Sequence, residues 1–390
     1  MATATWVVAE LNQQGDQMPA TRHGARHARV LVVGGGIAGA AACISLAKAG
    51  LRAHWLTRET APTTEAVGES LAPASLPILS ALGLESIIDS TRHRHGNATF
   101  SAWGSSSLME RNAFLHLEGP GRVLDRRFFE EQLRQVANGL ATKITGSFEA
   151  MAPSEHGPGW SLTLDNGKVI TTDFLIDATG RAALIGRRMS HFERTDQLVA
   201  AVAFLQQTTC DVEPTRATLI EAVAQGWWYA TLLPDNRLGL AYFSDPDLLP
   251  SDLSRDMNSW RHLLADTLHA GRWVQDAQFA LDKPPRLVSA GSARISPPCS
   301  GNNDHAGWAA IGDAAAAFDP LSSHGITTAL WTGARMGTVV PEWIEGNREP
   351  LTCYGEAVCS GYTSFLRQRE AMYGREQRFA DQLFWQRRRT

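Results

Sequence analysis

Cysteine is scarce in this chain of 390 residues: Cys43, Cys210, Cys299, Cys353 and Cys359 are odd in number and show no Cys-x-x-Cys spacing. That argues against a disulfide framework and a cysteine-rich metal site, and it favours a reducing compartment. No run of about 18 apolar residues occurs, so no helical membrane span is expected. Lysine is rarer still, with only Lys48, Lys143, Lys168 and Lys283, and the positive charge is carried by arginine. With 36 basic against 40 acidic residues the net charge is -4, which lacks the basic surplus of a nucleic-acid binder. Residues 1–27 contain no apolar signal-peptide core; they read as a flexible lead, with Met18 as an alternative start, and the expected location is cytoplasmic. Internal repeats and low-complexity linkers are absent too.

What is present is a chain too long for one hydrophobic core, so two lobes are expected. Arg29 to Val33 reads as a strand that runs into Gly34-Gly35-Gly36-Ile37-Ala38-Gly39 and then a helix ending at Lys48. A Gly-x-Gly-x-x-Gly pattern between strand and helix is the dinucleotide fingerprint. Gly34 permits the tight turn, Gly36 lets the backbone approach a pyrophosphate, and Gly39 lets the helix pack on the strand. The free N–H groups and positive dipole end of the helix then meet the phosphates. The acidic residue that takes a ribose belongs about 20 residues later. Here Thr57 ends the second strand and Glu59 follows, so either is a candidate, with Glu59 preferred.

Further on, Gly68-Glu69-Ser70 closes a loop, and Ser75 to Leu84 has helical amphipathicity. His93 and His95 fall on one face of a strand; without further ligands they line a surface or pocket rather than hold metal. A helix opens at Asp125-Arg126 and reaches about Asn138. A hairpin turns at Asn166-Gly167, and a buried strand ends in Asp177-Ala178-Thr179-Gly180. Apolar alternation dominates from Leu198 to Ser289, interrupted by a helix expected over Ser251 to Ala270. A strand at Gly307 leads to Gly312-Asp313 and on through Asp319-Pro320-Leu321-Ser322-Ser323-His324-Gly325-Ile326 into a helix. The tail from Leu351 to Trp385 reads as largely helical, with Arg387-Arg388-Arg389 as a solvated basic terminus.

Three of these motifs in order, Gly34-x-Gly36-x-x-Gly39, Asp177-x-x-Gly180 and Gly312-Asp313, make the chain from Arg29 onward resemble FAD-dependent aromatic hydroxylases and flavin-dependent halogenases. The resemblance implies an α/β fold of the p-hydroxybenzoate-hydroxylase or halogenase type. A discontinuous Rossmann-like FAD-binding domain would span 28–195 and 290–345, with a mostly β substrate domain at 196–289 and a helical C-terminal segment at 346–390. It implies FAD contacts from Gly34, Gly36, Ile37, Ala38, Gly39, Glu59, Arg126, Asp313, Pro320, Gly325 and Ile326. For Arg126 a surface ion pair with Asp125 or Glu130 is the alternative.

Gly68-Glu69-Ser70 and Pro320 to Ile326 look like the halogenase branch. Yet a halogenase needs a lysine downstream of the Gly-Glu motif, and none lies between Lys48 and Lys143. The segment Gly96 to Trp103 offers Asn97, Thr99 and Ser101 instead, and Ser322 stands where tryptophan halogenases place a glutamate. Gly226-Trp227-Trp228-Tyr229, the Asp319 to Gly325 run and the Tyr373 to Arg388 tail resemble the flavoproteins that mature tryptophylquinone enzymes. That resemblance implies a monooxygenase acting on a tryptophan of a partner protein through O2 and a flavin C4a-hydroperoxide. NAD(P)H would reduce the flavin directly or through a flavin reductase. An imidazole suits the single proton to be moved: His324 is the first candidate and His95 the second. Glu69 supports the loop or meets substrate, and Trp227, Trp228 and Tyr229 form an aromatic wall. A hydroxylase or halogenase of a small aromatic compound, and a non-catalytic FAD-stabilised maturation chaperone, are the alternatives.

Overall fold

The aliphatic run Val30–Val33 forms a strand buried on both faces, as an unbroken apolar run does inside a parallel sheet. The computed structural model describes residues 29–389 apart from 59–67, 113–119, 156, 158, 210 and 302–305. The expected lead 1–27 and the candidate Glu59 lie outside the described residues. The six-stranded sheet runs in the order Cys299–Ser300, Gly307–Ala310, Phe174–Asp177, Val30–Val33, His54–Thr57, Thr142–Thr145. Its neighbours are parallel, save for the antiparallel pair at the Cys299–Ser300 end.

Helix Ile37–Lys48 leaves this sheet and runs along helix Gly325–Ile344. Their backbones touch: a Cβ on Gly333 would lie 2.6 Å from the Ala38 carbonyl oxygen, and one on Gly337 2.7 Å from that of Ser45. Ala40, Ala41 and Ala42 are fully buried, and Ser45 Oγ donates to the Gly333 carbonyl at 2.9 Å. Small side chains thus set the separation of the two helices, which point the same way. Among the described residues no helix is long and apolar enough to cross a membrane.

A second sheet has seven strands, in the order Arg286–Ser289, Val199–Leu205, Leu238–Ser244, Gly226–Leu232, Thr218–Val223, Ala98–Ala102, Met109–Asn112. It reaches beyond the stretch 196–289 by recruiting the last two strands. One of them, Ala98–Ala102, joins in parallel to Thr218–Val223. One face packs Trp228, Tyr242 and Leu240 on the helices Met257–Ala265 and Ala270–Asp276. The other packs Trp227 and Phe243 on Tyr373, Phe384 and Trp385.

Two local expectations are corrected, and the largely helical tail is observed with one break. The single helix over Ser251 to Ala270 is two helices. Asp256 caps the first through the N–H groups of Asn258 and Ser259 at 3.0 and 3.3 Å. The second is started by the buried Glu221 carboxylate, which accepts from the N–H groups of Leu268 and Ala270 at 2.6 and 2.7 Å. The tail breaks between helix Glu349–Gly374 and helix Leu383–Gln386, where buried Glu376 binds the Gly104 N–H at 2.7 Å and the Arg378 guanidinium. The terminal arginine run is solvated only in part, Arg387 being exposed and Arg388 buried. Arg388 is 3% exposed, pairs with Asp245 at 2.6 Å and lies over the Phe384 ring, while Arg387 bridges Asp245 and Asp247.

Removing one partner of a buried ion pair leaves an uncompensated charge. Arg388→Met is expected to lower unfolding free energy by about 3 kcal/mol, read from denaturant midpoints, with Asp245→Asn in the same chain recovering part of the loss.

Candidate active site

The turn after Val33 is built by Gly34, whose φ of 126° and close approach to Ala178 leave no room for a side chain: a Cβ would sit 2.1 Å from the Ala178 carbonyl oxygen. Trp55 Nε1 holds the Gly34 carbonyl at 2.9 Å. A Cβ on Gly39 would meet the same Gly34 carbonyl at 2.1 Å, so the first turn of the helix lies directly on the loop. Gly36 occupies the N-cap, no side chain caps this helix, and a Cβ there would meet nothing within 4 Å. The loop therefore offers open space in front of free N–H groups.

The neighbouring strand Phe174–Asp177 ends in a turn that Asp177 organises. Its fully buried carboxylate accepts from the Thr179 N–H and hydroxyl at 2.9 and 2.6 Å and from the Ile185 and Gly186 N–H groups at 3.0 and 2.7 Å. With both oxygens occupied it has no capacity left for a ligand. The turn presents Arg181, whose Nε lies 3.4 Å from Asp313 Oδ2 and which also donates to the Gly291 and Phe318 carbonyls. Burial raises the Asp313 carboxyl above its ordinary value, and Arg181 and Arg126 pull it back.

Two cavities meet at Gly36, Ala178 and Gly180. One, of about 520 Å³, runs past Gly34, Thr57, Arg58, Arg134 and Lys143. The other, of about 370 Å³, lies between the loop and the seven-stranded sheet. Ile37, Ala38, Asp313, Pro320, Gly325 and Ile326 line one side of it, and Trp227, Tyr229 and Phe243 the other. Arg126 also lines it while pairing with Glu130 at 2.7 Å and donating to the Gly68 carbonyl; Asp125 instead pairs with Arg92 at 2.7 Å.

Strand alternation divides the aromatic wall. Trp227 and Tyr229 face the cavity, whereas Trp228 turns to the opposite face of the sheet and stacks on Tyr242 with centroids 4.9 Å apart. The three-residue wall expected from the sequence is therefore two residues completed by Phe243, which stacks on Trp227 at 3.9 Å. His95 is exposed on the short strand Arg94–His95, outside the cavity lining. His93 is buried instead, accepting from the Asp125 N–H at 3.1 Å.

His324 stands at the N-cap position of helix Gly325–Ile344 without a capping side-chain hydrogen bond and is 6% exposed; its ring meets Phe318 edge-on, and its Nδ1 is buried without a partner. Burial lowers its pKa to about 4, so the imidazole is neutral near pH 7. It also borders a side cavity of about 50 Å³ that reaches Asp319 and Arg369. Glu69 is buried in the main cavity wall; burial raises its carboxyl, and the Gly68 and Glu69 N–H groups and Arg126 oppose the shift.

Sequence reading gives no role to Asp319 and Tyr373. The Tyr373 hydroxyl donates to Asp319 Oδ2 at 2.9 Å and accepts from Trp227 Nε1 at 3.0 Å, which ties the cavity wall to the tail. Asp319, 1% exposed, also faces Arg369 at 3.3 Å. Its place before Pro320 was visible, but the partner 54 residues on was not.

The open face at Gly36, the uncapped helix start, the part-exposed Asp313 carboxylate in the cavity wall and the two connected cavities fit an extended dinucleotide. The tryptophan halogenase family profile matches residues 121–390. Putative FAD-dependent oxidoreductase LodB of Marinomonas mediterranea is 24% identical over 379 residues, covering 92% of this chain and 96% of its own. Tryptophan 2-halogenase of Chondromyces crocatus is 24% identical over 82% of this chain and 62% of its own length. The solved structure of QhpG, a peptidyl tryptophan dihydroxylase essential for tryptophylquinone cofactor biogenesis, superposes with a TM-score of 0.74 at 23% identity, over 93% of this chain and 79% of that one.

Two outcomes are expected. Because a Cβ at Gly36 meets no protein atom, Gly36→Val is to keep the fold but weaken flavin retention about tenfold or more (about 1.4 kcal/mol), measured by flavin absorbance after dialysis. His324 titrates near 6.5 when unfolded and about 4 when folded, so the unfolded chain binds more protons between those values. Stability is then lost as pH falls from about 6.5 to about 4, and His324→Gln removes that component from the pH dependence of the unfolding midpoint.

Proposed function

This chain belongs to the tryptophan halogenase family, and we propose that within it the protein is an FAD-dependent monooxygenase that hydroxylates an indole ring, the side chain of a tryptophan in a partner protein whose quinone cofactor is being made. The observation that carries this reading is the cavity itself. It combines a dinucleotide loop, an aromatic wall and one neutral, unpartnered imidazole, with no lysine among its described lining residues. The likeness to QhpG, whose substrate is a peptidyl tryptophan, supports the choice of substrate.

FAD, reduced by NAD(P)H directly or through a separate reductase, supplies an oxygen atom from O2 when bound. Gly36, Ile37 and Ala38 would hold its pyrophosphate at the helix start, with Gly34 and Gly39 shaping the loop. Asp313 would accept from the ribityl hydroxyls, and Arg126, at the start of helix Arg126–Leu140, would contact the cofactor. Gly325 and Ile326, at the start of helix Gly325–Ile344, would favour negative charge on the part of the cofactor they meet. Thr57, which lines the adjoining cavity, or Glu59 would take the ribose end.

Trp227, Tyr229 and Phe243 present flat apolar faces that seat an indole and keep water out. His324 accepts the proton that leaves the ring carbon as aromaticity returns; a neutral imidazole is the form that does this. Glu69 braces the Gly68 to Ser70 loop beside Arg126 and Tyr229.

The second reading, a hydroxylase or halogenase of a small aromatic molecule, is favoured by the equal identity to the tryptophan 2-halogenase. Mass spectrometry of the candidate partner after turnover with isotopically labelled O2 separates the two. Labelled oxygen on one partner tryptophan is the expected result. An unmodified partner with oxidised or halogenated free indoles gives the small-molecule reading instead. His324→Gln is expected to lower kcat about a hundredfold or more while flavin content stays unchanged.

A further inference from the structure

Strand Arg286–Ser289 ends the seven-stranded sheet. It pairs with Val199–Leu205 on one side, and among the described residues no strand covers its other side. An open edge is a row of main-chain donors and acceptors that a second chain can extend. This edge lies at the mouth of the active site, because Val288, Ser289 and the following Ala290 line the main cavity. Leu287, on the same strand, is 41% exposed.

Ser289 and Arg181 also line a separate groove of about 160 Å³, together with Arg187, Phe192, Arg194 and Asp196. Its charges are not balanced internally. Arg181 is committed to Asp313, and Asp196 to Arg369 at 3.1 Å. Arg187 lies flat on the Phe192 ring, 3.4 Å from its centroid, and gives Nε to the Ala182 carbonyl at 2.9 Å. Neither Arg187 nor Arg194 has a carboxylate partner among the described residues, and both side chains are exposed. Partial desolvation, and the repulsion of Arg194, lower the basicity of Arg187. Two arginines held near each other without a counter-charge form a receptor for carboxylates.

We propose that an extended acidic segment of the substrate polypeptide adds as a strand along the open edge of Arg286–Ser289, its carboxylates meeting Arg187 and Arg194 while a neighbouring aromatic side chain enters the main cavity past Ser289. The proposal rests on the polypeptide reading above. Alternation along such a strand sends successive side chains to opposite sides, so one can fill the cavity while its neighbours reach the groove. A polypeptide is favoured over other polyanions because the edge itself offers main-chain hydrogen bonds.

The test compares synthetic peptides with one tryptophan flanked by glutamates or by lysines, using flavin-loaded wild-type protein and the Arg187→Glu/Arg194→Glu variant. Wild type is expected to show a KM about fivefold lower for the glutamate peptide, from two exposed ion pairs, with the preference shrinking as salt rises. The variant is expected to invert the preference and to oxidise free indole at the wild-type rate. Equal KM values for the two peptides, or an unchanged preference in the variant, would overturn the docking proposal and leave polypeptide oxidation standing. If free indole is oxidised and neither peptide is, the polypeptide reading falls and the docking proposal with it. Competition by a single-stranded oligonucleotide as strong as that by the glutamate peptide would make the groove a general polyanion site and overturn the proposal.

Discussion

Everything at the active site depends on how closely helix Ile37–Lys48 approaches helix Gly325–Ile344. Gly333 and Gly337 bring their backbone against Ala38 and Ser45, and the two helices run in the same sense. Both helix starts therefore open on one cavity, Gly36 from one and Gly325 from the other. Each end carries N–H groups without intrahelical partners. Two such ends on one space favour a ligand with negative charge at two separated points, which an extended dinucleotide with an anionic ring has. A larger side chain at either helix glycine would push these ends apart before it touched any ligand.

The parts of this arrangement legible in the sequence are those encoded by neighbours. Val30 to Gly39 reads as strand, turn and helix because the apolar run, the glycine spacing and the following alanines all act within a few residues. The hairpin at Asn166-Gly167 is legible for the same reason. What sequence could not show depends on contacts between distant segments. Glu221 starts a helix whose first residue lies 49 positions on, and nothing in its own surroundings marks it as a cap. Trp228 looked equivalent to Trp227 and Tyr229 because three adjacent aromatics read as one box. The two-residue repeat of a strand separates them once the segment is known to be sheet with both faces covered.

Charge obeys the same rule. A terminal Arg387-Arg388-Arg389 suggests a solvated end when no acidic partner is near in sequence. Asp245 and Asp247, from the turn after a sheet strand, supply that partner and draw Arg388 into the core. His324 and His95 differ for a related reason. Both adjoin residues compatible with a pocket, but only His324 sits where a helix start, Phe318 and a buried wall surround it.

The tie between Trp227 and Tyr373 has a consequence for how the protein is made. The indole N–H that steadies the cavity wall finds its acceptor 146 residues later, and that tyrosine is packed in turn by Phe384 and Trp385. During synthesis the sheet carrying Trp227 leaves the ribosome long before this brace exists. The hydrogen bond and the packing of Trp227 on the tail therefore form only after residues 373–385 have been made and folded back over the sheet, whereas its stack on Phe243 needs the sheet alone.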